Sequence, residues 1–295
     1  MPSHIVTPAT VIAALLTLIP FLWAIFFPTH LTNRAQSLHI AARLLCPAVL
    51  CTPYALVALS FHILHLHWLA LYALLPVAVA TLLWRANLSD PYQNGNWRDY
   101  LVLLVLGLAV DLRWLEPAWP AHLAIFSKLL LLDAGLYGFL AIRQLNGAGI
   151  DLRLRWQDLR TGLREFAFYA PIAVALGLSL GFLHLHPAWP KPLQFVAAPL
   201  FTFFFIAVPE EVFFRGWLQN LLERRLGRHT ALLLTAVIFG FTHFNKRALH
   251  FNWRYVLLAT LAGIFYGRAW RSQRRVAASA ITHTAVDAVW SLWLR

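Results

Sequence analysis

Long apolar runs separated by short polar gaps make up most of the chain. A helix needs about 20 predominantly apolar residues to cross a bilayer, so each such run predicts one membrane-spanning helix. Ten runs can be drawn with soft edges, and several of them are short for a full crossing. We therefore predict an all-α protein, a polytopic transmembrane helical bundle of about 8–10 spans. The runs cover residues 5–27, 39–64, 67–84, 99–116, 121–142, 165–186, 193–223, 229–244, 254–270 and 276–294.

Composition narrows the class of protein further. Hydrophobic residues make up 60% of the chain and charged residues 12%, against about 25% charged residues in a soluble domain. These values exclude a disordered chain and a water-soluble enzyme, and two cysteines are too few for a disulfide scaffold. The apolar runs are continuous, whereas the strands of a membrane barrel alternate apolar and polar residues.

The net charge of +12 bears on topology and partners. The basic residues lie in the gaps between apolar runs and concentrate in alternate gaps. The positive-inside rule explains this distribution better than nucleic-acid binding does. We therefore predict the lipid bilayer as a partner, and no nucleic acid.

The longest polar interval, Arg143 to Arg164, predicts a boundary between two halves. It contains an arginine-rich stretch with Trp156, which favours a cytoplasmic connector or an amphipathic helix lying on anionic headgroups. Residues 1–150 are predicted to form an N-terminal transmembrane region of unknown role. Residues 151–295 form a second transmembrane domain, which carries the polar motifs described next.

The first motif places two carboxylates and an arginine inside one apolar run. Glu210 and Glu211 follow Pro209 without a loop signal, and Arg215 comes four residues after Glu211. Residues four apart share a helix face, so Glu211 and Arg215 can pair. Glu210 points about 100° away and is left for another task.

Two further motifs bring histidines to a similar predicted depth. His243 closes an apolar run four residues after Phe239, and His283 precedes Asp287 by four residues. The arginine-rich gaps are predicted to face the cytoplasm. At about 1.5 Å per residue, these groups and Glu210 lie roughly 12–22 Å from the arginines of those gaps. Ionisable groups at membrane depth are costly and predict function by default.

The residue types leave two kinds of chemistry open. Ser279 has no evident second partner, which disfavours a covalent nucleophile. Glu210 could act as the base on a water molecule, with His243, His283 and Asp287 binding or polarising a carbonyl group. Alternatively, Glu210, His243 and His283, with Asp287, could hold a divalent metal such as zinc that activates the water.

The three motifs in this order resemble those of a known family. E-E-x-x-x-R, F-x-x-x-H and H-x-x-x-N/D on separate membrane helices are similar to the CPBP family (CAAX protease and bacteriocin-processing, or Abi) of intramembrane endopeptidases, which includes the type II CAAX prenyl endopeptidase. The resemblance covers roughly residues 160–295. It implies a protease that hydrolyses a peptide bond of a membrane-associated protein or peptide, entering from the membrane or the cytoplasmic side. It also favours a multi-pass protein of the bacterial cytoplasmic (inner) membrane.

Roles for the individual residues follow from this resemblance. Glu210 would activate water with help from His243, and no cofactor would be needed. His283 and Asp287 would supply the oxyanion site, and Glu211 and Arg215 a supporting ion pair. Many members carry Asn where this chain has Asp287, and an ionised carboxylate repels an oxyanion. Asp287 must therefore be protonated, orient His283 or bind a metal.

Two other function classes remain as alternatives. One is a non-enzymatic member of the same family, an immunity factor or membrane scaffold, whose effect would survive loss of Glu210 and His243. The other is a proton-coupled transporter that relays protons through Asp111 or Asp133 in the first half. No symmetry between the halves, as transporters often show, is visible in the sequence.

Overall fold

A computed structural model describes residues 7–186, 189, 191–246 and 250–294. Within these ranges every regular element is a helix and no strand occurs, which confirms the predicted all-α class. The first two residues of the first predicted span, 5 and 6, lie outside the described residues. The chain forms two compact units, Met1–Asn146 and Gly147–Arg295. The roles predicted for the two halves stay predictions.

The N-terminal unit consists of helices of very different length. The predicted span 39–64 is not one α-helix, because a 3₁₀ segment, Cys46–Cys51, interrupts it. Pro47 and Pro53 lie near the two ends of that segment, and neither has a backbone N–H to donate. The α-helices are α1 (Pro8–Phe26), α2 (Pro28–Gln36), α3 (Ile40–Leu45), α4 (Thr52–Ser60), α5 (Leu66–Ser89), α6 (Trp97–Asp111) and α7 (Ile125–Leu136), which a π-helical segment, Tyr137–Ile142, continues.

A fully buried arginine organises the polar end of this unit. Arg143 donates to the Asp99 carboxylate from Nε at 2.8 Å and from Nη2 at 3.0 Å, and Nη2 also bonds Asp90 at 2.8 Å. The side chains of Arg143 and Asp99 are both completely inaccessible to solvent. Two carboxylates thus compensate one buried guanidinium, and they tie the start of α6 to the residue that follows the π-helical segment.

Asp133 is one of the two acidic residues named in the transporter alternative. Asp133, on α7, is buried, and neither of its oxygens has a hydrogen-bond partner within the part of the chain that is described. Lys128 pairs with Glu116 at 3.1 Å. The ion-pair partner of Lys128 is thus Glu116, and Asp133 is not part of this pair.

The C-terminal unit contains α8 to α14. They are α8 (Trp156–Ser179), α9 (Pro192–Thr202), α10 (Val208–Glu211), α11 (Asn220–Leu226), α12 (Arg228–Phe241), α13 (Trp253–Gln273) and α14 (Val276–Trp293). Arg275 sets the start of α14 by donating to Asp158 of α8 at 2.8 Å. It also donates to the backbone oxygens of Asp151 and Arg153.

The helix that carries the glutamates runs through residues 192–226 with two widened turns. Phe203–Ala207 and Val212–Gln219 are π-helical, and α10 lies between them. Pro209 lacks an N–H, and its ring would clash with the carbonyl of the residue four positions back in a regular α-turn. A π-turn just before it relieves that conflict, and such turns are frequent at functional sites.

Close approach of α12 to α13 depends on small residues. A Cβ atom on Gly240 would overlap the side chain of Thr260 and lie 2.7 Å from the Val256 oxygen. A Cβ atom on Gly263 would lie 3.0 Å from the Cα atom of Ala236. Glycine at these two positions therefore lets the two helices come close together.

Within the described residues, five helical stretches are long and apolar enough to cross a membrane: Pro8–Phe26, Ile40–Ser60, Leu66–Ser89, Ala121–Ile142 and Pro192–Leu226. The helices of the other predicted spans are shorter or less apolar, and the predicted total of 8–10 spans stays a prediction. Helix α12, for example, has 14 residues, which is about 21 Å of rise.

Replacing Arg143 with Met should destabilise the protein strongly. Asp99 and Asp90 would lose their counter-ion, and breaking a buried pair from one side costs about 3–5 kcal/mol. Thermal unfolding in detergent, followed by tryptophan fluorescence, measures the change. Arg113→Met is the control, since the Arg113 side chain is 73% exposed. Equal melting temperatures for the two variants would contradict this account. The Asp99→Asn/Arg143→Met double variant no longer leaves Asp99 as an unpaired charge, so a double variant less stable than Arg143→Met would also contradict it.

Candidate functional site

Three parts of the C-terminal unit bring the motif residues together. Glu210 and Glu211 end α10, and Arg215 follows in the second π-helical segment. His243 lies in the turn just after α12. His283 and Asp287 share one face of α14, and residues from all three parts make the contacts described below.

The carboxylate of Glu211 is the centre of these contacts. Its side chain is completely buried, and Arg215 pairs with it at 3.2 Å. The Ser279 hydroxyl donates a short hydrogen bond to Oε2, and Nδ1 of His283 lies 2.8 Å from Oε1. An ionised carboxylate only accepts hydrogen bonds, so Nδ1 is the nitrogen that donates. Nε2 of His283 is therefore left to face elsewhere.

Arg215 is as deeply buried as Glu211 and is held from several sides. Its Nη2 donates to the Gly263 oxygen at 3.0 Å. Its guanidinium carbon lies 4.8 Å from the ring centre of Phe239 and 5.4 Å from that of Tyr266. Aromatic faces attract cations. The predicted Glu211–Arg215 pair thus joins the helix of residues 192–226 to α12 and α13.

His283 lies between carboxylates and an aromatic ring. Its Nε2 is 3.9 Å from Glu210 Oε2 and 3.6 Å from Asp287 Oδ2. The ring of Tyr266 stacks on the imidazole at 4.5 Å between centres and 17° between planes. Asp287 therefore lies beside the imidazole of His283, close enough to orient it, which is one of the three roles left open for this residue.

His243 is held by its own turn and by two aromatic residues. Nδ1 lies 3.0 Å from the Phe239 oxygen, which can only accept, so this nitrogen donates. In the neutral ring, Nε2 is then the acceptor. The ring lies 5.0 Å from that of Phe239 and 4.7 Å from that of Tyr255.

Glu210 differs from its neighbour in accessibility. Its side chain is 31% exposed, whereas the Glu211 side chain is 0% exposed. Glu210 also interacts electrostatically with His243 and with Lys246. Lys246 follows His243 in the turn after α12. Of the two adjacent glutamates, Glu210 is the one whose carboxylate a water molecule can reach.

A cavity of about 70 Å³ opens beside the two histidines and Asp287. His243, His283 and Asp287 line one part of it. The rest of the wall is apolar and aromatic and comes mainly from α8, α13, α14 and the segment after α8, with Phe239 of α12. A volume of this size holds water next to polar partners. The apolar part of the wall includes Phe166, Ala170, Phe182, Ala262, Val286 and Trp290.

The metal alternative stays a prediction. Its donors would be Glu210, His243 and His283. Within the described residues, no group of three or more His, Cys, Asp or Glu side chains is arranged to hold a metal ion. Nδ1 of His283 is engaged by Glu211, which leaves Nε2 as the nitrogen that would bind a metal ion.

Three residues of the site were not predicted. Ser279 was set aside for lack of a partner, yet it bonds Glu211 and lies 2.9 Å from the Tyr266 oxygen. Its position one turn before His283 was a signal that could have been used. Tyr266 and Tyr255, which contact the two imidazoles, gave no motif signal, because α13 carries none of the three motifs.

Comparison with known families agrees with the motifs. Residues 192–289 match the family model described as "Rce1-like: Type II CAAX prenyl endopeptidase Rce1-like". The match confirms the recognised resemblance over this segment, which contains all six predicted site residues. Together with the five apolar helices, it indicates an integral membrane protein. No curated protein and no solved structure matches the chain.

Replacing Ser279 with Ala should destabilise the C-terminal unit by about 1–2 kcal/mol, because a buried carboxylate would lose one of its donors. The matched control is Ser179→Ala, whose exposed hydroxyl bonds only its own helix and whose replacement should change stability by less than about 0.5 kcal/mol. Melting temperature in detergent measures both. A Ser279→Ala protein as stable as the control would show that Glu211 does not depend on this hydroxyl.

Proposed function

We propose that the C-terminal unit is an intramembrane endopeptidase in which Glu210 activates the attacking water. The observation that carries the proposal is the division of labour between adjacent glutamates. Glu211 is fully used in holding Arg215, Ser279 and His283, whereas Glu210 is partly exposed and lies 3.9 Å from His283. A general base needs to reach water and to be near the group it serves.

The reaction is a hydrolysis through a tetrahedral intermediate. Glu210 takes a proton from water, and the oxygen attacks the carbonyl carbon of the scissile peptide bond. The carbonyl oxygen becomes an oxyanion. When the C–N bond breaks, the proton held by Glu210 passes to the leaving amine. No step needs an external reactant besides water.

The two imidazoles have different tasks in this proposal. Nε2 of His243 is an acceptor and helps to hold the water beside Glu210. His283 faces the cavity with Nε2 and, with a proton on this nitrogen too, donates to the oxyanion. Asp287, 3.6 Å from that nitrogen, orients the ring and balances its charge. Of the three roles left open for Asp287 by the sequence, the proposal assigns it the orientation of His283.

The surroundings favour a substrate that belongs to the membrane. The cavity wall next to the imidazoles is mostly apolar, and burial of apolar groups from the substrate would stabilise its binding. We propose a membrane-associated protein or peptide, in a bacterial cytoplasmic membrane, as the substrate. The proposed mechanism routes no step through a metal.

Glu210→Gln should lower hydrolysis by about 10²–10⁴-fold, because the amide cannot accept the proton. The substitution keeps shape, so folding should be preserved. New peptide termini, identified by mass spectrometry in proteoliposomes that contain membrane peptides, report the activity. Glu116→Gln, the same change at a partly buried glutamate of the N-terminal unit, is the control. Unchanged processing by the Glu210 variant would favour the non-enzymatic alternative.

Removal of metal ions should leave the activity intact. The purified protein is treated with a strong chelator, assayed as above, and its metal content is measured. Activity that is lost on chelation and restored by zinc would overturn the glutamate mechanism in favour of metal-activated water.

A further inference from the structure

The start of the C-terminal unit carries arginines that the proposed chemistry does not use. Arg153, Arg155 and Arg164 have side chains that are 66%, 59% and 52% exposed, and Arg160 is exposed as well. We call residues 153–164 the arginine surface.

Apolar side chains are interleaved with these arginines. Trp156 is 75% exposed, Leu154 63%, Leu163 47% and Leu159 37%. The opposite face of α8 is buried. There a Cβ atom on Gly162 would collide with Ile281 of α14. The outward mixture of tryptophan, leucine and arginine is therefore not required for packing inside the unit.

The acidic residues nearby are already paired and do not cancel the exposed charge. Asp158 is buried against Arg275 at 2.8 Å. Glu165 pairs with Arg164 at 2.8 Å and with Arg268 of α13 at 3.0 Å. Asp151 is shared by Arg153, Arg155 and Arg275. The surface keeps a net positive charge, with Arg160 adding to it.

We propose that the arginine surface binds the headgroups of anionic phospholipids. Arginine offers several donors for a phosphate oxygen, and tryptophan is enriched at the membrane interface, where its ring sits at headgroup level. Beyond Arg164 the outward face of α8 turns apolar, with Phe168 54%, Ile172 41% and Leu178 39% exposed. This face continues from the headgroups into the acyl chains. The proposal is independent of peptide hydrolysis.

The test uses the full-length protein in neutral detergent. Phosphatidylglycerol or phosphatidylcholine is titrated in, and bound lipids are counted by native mass spectrometry. The probe variant is Arg153→Gln/Arg155→Gln/Arg160→Gln, which leaves Asp151 with Arg275 and leaves the pairs of Glu165 untouched. The matched control, Arg34→Gln/Arg85→Gln/Arg228→Gln, removes the same charge from other exposed positions.

We expect the wild-type protein to bind phosphatidylglycerol more tightly than phosphatidylcholine. Each arginine removed from the surface should weaken phosphatidylglycerol binding about fivefold, while the control triple should stay within about twofold of the wild type. The corresponding triple lysine variant should keep most of the affinity, and added salt should lower it.

A second measurement locates the lipid. Brominated phosphatidylglycerol should quench the fluorescence of Trp156, obtained as the difference between the wild type and Trp156→Phe. Equal binding of the two lipids, or equal losses in the probe and control triples, would overturn the proposal. Absence of quenching at Trp156 would also overturn it. Loss of binding with an unchanged melting temperature supports it, because it excludes unfolding as the cause.

Discussion

The buried carboxylate of Glu211 is the interaction on which the C-terminal unit depends. It accepts from Arg215 on its own helix and from Ser279 and His283 on α14. Arg215 then reaches the Gly263 oxygen on α13. Buried charges are tolerated only when they are paired and hydrogen-bonded. One carboxylate therefore fixes the relative positions of three helices and, through Nδ1, the orientation of the His283 ring.

This constraint explains why two adjacent residues of one type can serve different purposes. Glu211 has its oxygens occupied by donors, so it has no capacity left for a substrate. Glu210 comes within 3.9 Å of Nε2 of His283, on the side of the ring away from Glu211, and keeps part of its surface accessible. The helix geometry alone separates them, since successive side chains diverge by about 100°. In the proposed mechanism, positioning and chemistry are thus assigned to neighbouring residues of the chain.

Most residues of the site could be predicted from the sequence, and there are physical reasons why the others could not. Ionisable residues at membrane depth are conspicuous, so Glu210, Glu211, Arg215, His243, His283 and Asp287 could all be singled out. Ser279, Tyr266 and Tyr255 were missed, because a hydroxyl or an aromatic ring inside an apolar run carries no penalty that marks it. The interruption of the predicted span 39–64 was not foreseen, because hydropathy does not show where prolines such as Pro47 and Pro53 flank a 3₁₀ segment.

The widened turns on either side of α10 have a consequence for how related chains should be compared. A π-turn holds an extra residue relative to an α-turn, so it behaves as a one-residue insertion within a continuous helix. Loss of one residue from Phe203–Ala207 or Val212–Gln219 would rotate the two flanking parts against each other by about 100°. Length differences between homologues can therefore fall in the middle of this helix rather than in loops. An alignment that forbids gaps inside helices would put the wrong glutamate in register.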